Sequence, residues 1–211
     1  MSLRRWVGLC AVAESVGLTA AATASRLASS LGEGSPTAGD RAAALGLIVA
    51  GGLVEGTALG LAQSAALAPT FPWLPRARFV LVTVGFAGLG WATASLPAVL
   101  AGDDGEGPPL LLAALGGVGV GAAMGALLGA IQALVLRVGV PHPWRWVGAT
   151  ALAWMPAMGL IFAGASAPGA DWPLGSVAAL GTLTGAVAGA LLGLVLGRFV
   201  PALTRVAVAS Y

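Results

Sequence analysis

Two carboxylates interrupt long apolar runs in this chain, Glu14 and Glu55. The remaining acids, Glu33, Asp40, Asp103, Asp104, Glu106 and Asp171, fall in the polar stretches between those runs. A carboxyl inside a bilayer is costly, so its presence is a functional question by default. Two chemistries suit such a pair. They can take up and release a proton or bind a cation, or each can act as a neutral hydrogen-bond donor joining two helices. The second use is the one expected here. At 100° per residue, Glu55 lies about 60° from Gly52, on the flank of the stripe formed by Gly52, Gly56 and Gly60. It should therefore face a neighbouring helix. No arginine shares its depth in the sequence, so a protonated, hydrogen-bonded side chain is expected.

Two amides accompany the carboxylates. Gln63 and Gln132 each follow a glycine stripe by three residues, close to the end of an apolar run. An amide there can donate and accept between helices, and a structural role is expected. Other chemistry is thinly provided. Cys10 is the single cysteine, His142 the single histidine, and all ten basic residues are arginine. No disulfide within the chain and no Cys/His metal site can form from that set. There is no G-x-S-x-G, no H-E-x-x-H and no P-loop. Ser166, in Gly164-Ala165-Ser166, lacks a base to activate it: the chain has no lysine, and its one histidine, His142, stands between two prolines. No catalytic residue, metal or cofactor is expected.

The elements that hold these residues follow from composition. Of 211 residues, 58% are hydrophobic and 9% charged, and the mean hydropathy is +0.93. A soluble domain carries about 25% charged residues; this chain has too few to cover a surface in water. Its natural solvent is lipid. A formal charge of +2 argues against a nucleic-acid partner. The exclusive use of arginine suggests a GC-rich bacterial genome.

A membrane-spanning helix needs about 20 mostly apolar residues. Six windows meet that length: 6–25, 43–67, 78–100, 110–136, 146–165 and 175–198. The connections are short and rich in Pro, Gly and charge, such as the stretch 102–109, so a single transmembrane domain over 1–211 is expected. With six spans, Arg4, Arg5, Arg76, Arg78, Arg137, Arg145, Arg198 and Arg205 share one side, against Arg26 and Arg41 on the other. The basic side is cytoplasmic, which places both termini in the cytoplasm of a bacterium and the chain in its inner membrane. Ala22-Thr23-Ala24 imitates a signal-peptidase site, but Glu14 interrupts the preceding apolar run, and retention as a first span is expected. Counted from that side at 1.5 Å per residue, Glu14 lies about 12 Å deep and Glu55 about 18 Å deep.

The spans also repeat. Arg5-Trp6-Val7 returns as Arg78-Phe79-Val80 and as Arg145-Trp146-Val147, each opening an odd-numbered span. In the even-numbered spans, Gly52, Gly56 and Gly60 correspond to Gly121, Gly125 and Gly129, and to Gly185, Gly189 and Gly193. Gln63 and Gln132 follow in two copies, and Leu196 takes that place in the third. The expected fold is all-α and integral to the membrane: six transmembrane helices as three parallel two-helix hairpin repeats. Glycines four apart form a flat strip that admits a neighbouring backbone, so these nine glycines are expected to pack helices, with the even helices inside. Trp6, Trp73, Trp144, Trp146 and Trp172 are expected at the interfaces as an aromatic belt, and Trp91 and Trp154 deeper as packing residues. Pro97 and Pro156 are candidate kinks.

At the repeated G-x-x-x-G-x-x-Q and Arg-(Trp/Phe)-Val elements, the chain resembles uncharacterised bacterial polytopic membrane proteins. That resemblance covers most of the length and implies no activity. Three two-helix repeats are also similar in plan to mitochondrial carriers, but the P-x-[DE]-x-x-[KR] element is missing. Rich packing surface with little chemistry points to a non-enzymatic accessory, scaffold or assembly subunit, with lipid, partner transmembrane subunits or further copies of itself as its contacts. The alternative is a small-solute or ion transporter, proton-coupled through Glu14 and Glu55.

Overall fold

A backbone crossing lipid must satisfy its own polar groups, and an unbroken apolar run does so as a helix. In the computed structural model, which describes residues 2–32, 35–101, 108–169 and 171–204, every apolar run is helical. The elements are α1 (Leu3–Leu31), α2 (Ala38–Leu67), α3 (Arg76–Ala101), α4 (Leu110–Leu136), α5 (Arg145–Ala165) and α6 (Leu174–Thr204). All six are long and apolar enough to cross a membrane, and the described residues contain no strand. Glu33, Asp103, Asp104 and Glu106, named above among the polar stretches, and Arg205, counted above for orientation, lie outside the described residues.

Several helices run beyond the apolar windows. α1 continues through Ala22-Thr23-Ala24 to Leu31. α2 starts early because Thr37 and Asp40 form a capping box: the Thr37 N–H donates to Asp40 Oδ2 at 2.9 Å, and the Asp40 N–H donates to Thr37 Oγ1 at 3.2 Å. That reciprocal pair satisfies two backbone donors that the first turn leaves bare. Pro97 and Pro156 lie within α3 and α5, exposed on the outer face, and both helices continue through them.

The helices form a closed ring in chain order, with α6 returning to pack along α1. The tightest seams are α6 on α1 and α4 on α5, and the loosest is α3 beside α4. The glycines explain the tight ones. A methyl group placed on Gly60, Gly129 or Gly193 would lie 3.2, 2.9 or 2.7 Å from the Cα of Val80, Val147 or Val7. One turn on, a methyl at Gly56, Gly125 or Gly189 would lie 3.1, 2.9 or 2.8 Å from the Cα of Val84, Ala151 or Ala11. Gly52 seats the Trp91 indole, while Gly121 and Gly185 lie against the Trp154 and Glu14 backbone. The strips of α2 and α4 therefore pack on the next helix in the chain, α3 and α5, and the strip of α6 closes on α1.

The even helices do not form an inner layer. The share of the apolar window that is buried is 39, 17 and 33% in α1, α3 and α5, against 33, 22 and 33% in α2, α4 and α6. A ring gives every helix one inward and one lipid-facing side, so both sets contribute equally. The inward sides meet in one apolar cluster that includes Trp6, Phe79, Trp146, Leu136, Leu192 and Leu196. This corrects the aromatic-belt expectation for Trp6 and Trp146, which are buried in the core, whereas Trp73 and Trp144 are exposed and Trp172 partly so. Depth along a helix does not tell which way a ring faces, and these two indoles turn inward.

Candidate functional site

Polar side chains enter the bundle interior at two levels. The first lies about a turn inside the ends of α2 and α4. Gln132 is its centre: Nε2 donates to Gln63 Oε1 and to Thr83 Oγ1, both at 3.0 Å, and Oε1 accepts from Trp146 Nε1 at 2.8 Å. One amide thus ties α4 to α2, α3 and α5. Gln63, Gln132 and Thr83 are fully enclosed or nearly so, where an unsatisfied polar group is expensive. Thr83 meets the remaining demand by donating its own hydroxyl to the Phe79 carbonyl at 2.8 Å. Two donors at this level stay bare, Gln63 Nε2 and Trp6 Nε1, and Trp6 packs at 6.2 Å from the Trp146 ring.

The second level lies deeper and holds both carboxylates. Glu55 Oε2 accepts from Trp91 Nε1 at 2.6 Å, joining α2 to α3. On its other side stands Gly17 of α1, where a Cβ would lie 2.7 Å from Glu55 Cγ. A glycine is required there because the glutamate fills the space that any side chain would need. Glu14 is fully buried and neither of its oxygens has a hydrogen-bond partner. It lies within electrostatic range of Glu55 and, one turn back along α1, of Cys10. Trp154 Nε1 is also buried and unpartnered.

The carboxylates thus behave differently from each other. Glu55 joins two helices, but as the acceptor from an indole rather than as the donor expected of it. Glu14 makes none, which departs from the expectation that both would join helices. The reason is its surroundings. Across the seam Gly185 packs on the Glu14 backbone and carries no side chain that could donate. Among the described residues, no cluster of three or more His, Cys, Asp or Glu side chains is placed to hold a metal.

Sequence reasoning missed Thr83 and Trp146 as partners of Gln132, Trp91 as the partner of Glu55, and Gly17 as the residue that makes room for it. A signal existed for Trp146: it stands near the start of α5, and Gln132 near the end of α4, so both lie at the same end of the bundle. Nothing in the sequence marks Thr83 or Gly17, because their partners lie on other helices.

Two grooves lie outside these levels. One, of about 580 Å³, runs along α1 between α2 and α6, lined by small residues such as Ala20, Ala24, Ala50 and Gly51 and by the hydroxyl residues Ser15, Thr19, Thr23 and Thr182. The Thr19 and Thr182 hydroxyls bond each other at 2.7 Å. The other, of about 230 Å³, lies between α3 and α4 beside Arg78 and Arg137. Neither is lined by Glu14 or Glu55.

No family model matches the chain, and no curated protein or solved structure matches it either.

Proposed function

We propose that the chain is a multi-pass protein of the bacterial inner membrane, built as three parallel two-helix hairpin repeats with both termini cytoplasmic. Its role is that of a non-enzymatic accessory, scaffold or assembly subunit of a larger membrane complex. The orientation is supported by charge. Arg4, Arg5, Arg76, Arg78, Arg137, Arg145 and Arg198 lie at or near helix ends on one side, while Arg26, Arg41, Asp40 and Asp171 lie toward the other.

Support for the repeat comes from matched contacts at the seams and from what it explains. In repeat register Leu196 stands where Gln132 stands, and Trp6 where Trp146 stands. The place of the amide that accepts from Trp146 is thus taken in the third copy by an apolar side chain, in keeping with the bare Trp6 N–H. Gln63 meets the complementary mismatch, since Phe79 stands where an indole donor would be.

The scaffold role rests on the groove along α1. Small side chains let a foreign backbone approach, and hydroxyls offer hydrogen bonds across a helix pair. Such a lining fits a partner's transmembrane helix. Extraction from the native host in mild detergent, followed by native electrophoresis, should recover the chain in a larger assembly, with a cysteine at Ala24 cross-linking to a partner. A lone monomer would refute the role.

One observation favours a second reading, proton-coupled transport of a small solute or ion. A buried carboxyl with two bare oxygens beside a second carboxyl is an unusual structural element. Under that reading Glu14→Gln and Glu55→Gln abolish proton-coupled flux in liposomes. Unchanged flux would remove both carboxylates from any mechanism.

A further inference from the structure

The seam between α3 and α4 is the place where the ring is least closed. Toward the arginine-rich end it widens into a crevice whose walls are Val82 of α3 and Ile131 and Leu134 of α4, with Arg78, Arg137 and Val138 at the mouth. Val135, which is buried, completes the lining, and the residues next to Val82 and Ile131, Thr83 and Gln132, are hydrogen-bonded to each other. Arg78, Arg137 and Val138 are exposed. The described acids offer these cations no counter-charge: Glu14 and Glu55 are inside the bundle, and Asp40 and Asp171 lie toward its other end.

Two guanidiniums over an apolar slot call for a ligand that is anionic at one end and apolar at the other. Arginine forks match phosphate oxygens, and Leu134 and Val138 of the lining are exposed, so the slot reaches the outer surface of the ring. Val82 lies one turn below Arg78, about 6 Å deeper, which suits the first methylenes of an acyl chain beneath its headgroup. A soluble anion would gain nothing from those walls. We propose that this crevice is a binding site for one anionic glycerophospholipid, its phosphate held by Arg78 and Arg137 and one acyl chain lying between α3 and α4.

Native mass spectrometry of the full chain in detergent, titrated with phosphatidylglycerol or phosphatidylcholine, tests the site. The expected result is one retained phosphatidylglycerol per chain and markedly weaker retention of phosphatidylcholine. Basic side chains near a membrane surface contribute about 1 kcal/mol each, so the double variant Arg78→Gln/Arg137→Gln should weaken retention about 30-fold. Ile131→Trp, which fills the slot and leaves the arginines in place, should also release the lipid. Arg4→Gln/Arg5→Gln, on α1, should leave retention unchanged. Equal retention of both lipids, an equal loss in the α1 variant, or full retention by Ile131→Trp would each overturn the proposal. So would complete displacement by millimolar inorganic phosphate, which would make the site one for a free anion. Size-exclusion profiles matching the parent chain establish that each variant compared is folded.

Discussion

Gln132 Nε2 donates to Gln63 Oε1 across 3.0 Å, joining two helices that are not packed neighbours in the ring. The bond spans the interior from α4 to α2, and with Thr83 and Trp146 it draws in α3 and α5. Glycine strips set how closely adjacent helices approach; this amide sets how helices across the bundle are held. The seam between α3 and α4, where packing is loosest, is the one the Gln132–Thr83 bond crosses.

Replacing Gln132 with leucine keeps the volume and removes three hydrogen bonds. Gln63 Oε1 and Trp146 Nε1 would be left buried and bare. A bare buried polar group costs about 1–3 kcal/mol, and interhelical bonds in membranes fall at the lower end of such values. The thermal midpoint in detergent should drop well below that of the parent chain. An unchanged midpoint would mean that the network carries no stability.

The two buried indoles at this level should respond oppositely. Trp146→Phe removes the donor to Gln132 and should destabilise. Trp6→Phe removes an N–H that has no partner, so only ring volume is lost and the effect should be much smaller. Phe79, buried at the corresponding level of α3, indicates that a phenyl ring is tolerated there. Denaturant midpoints of the two variants, compared directly, decide the point. Equal losses would show that packing alone governs both rings.

Glycines divide by what a side chain would meet. Gly125→Leu and Gly189→Leu would drive into the backbone of α5 and α1, and both should prevent a well-packed bundle from forming. Gly119→Leu and Gly148→Leu point into open space and should be tolerated in the lipid face. Expression and monodispersity on size exclusion separate the two groups. Tolerance of leucine at Gly189 would contradict the close seam between α6 and α1.

Glu14 should be the exception to the rule that core substitutions destabilise. Its oxygens lack partners, so Glu14→Leu removes an unsatisfied group and should raise the unfolding midpoint, with a gain of about 1–3 kcal/mol in unfolding free energy. Trp91→Phe, by contrast, strips Glu55 of its indole donor and should lower it. A gain in stability accompanied by lost activity in vivo would identify Glu14 as a site kept for function at the expense of stability. A midpoint below that of the parent would mean that the carboxyl is bonded in the bilayer after all.

Much of the fold was legible in the sequence. Run length and apolarity placed the six helices, because a backbone in lipid has almost no alternative. The glycine spacing marked the faces along which α2, α4 and α6 meet their neighbours, since a strip without side chains is useful only against another backbone. The inward direction of Glu55 followed from its angle to that strip. Which helix each strip meets did not follow, because spacing within one helix holds no information about the next. The same limit hid Trp91 behind Gly52, Gly17 behind Glu55, and Thr83 beside Gln132. It also misdirected Trp6 and Trp146, whose depth resembles that of an interfacial belt but whose rings turn into the core. One-dimensional pattern determines what a helix can offer. The closure of the ring decides which offers are met, and it leaves Glu14, Gln63 and Trp6 with polar atoms that have no partner.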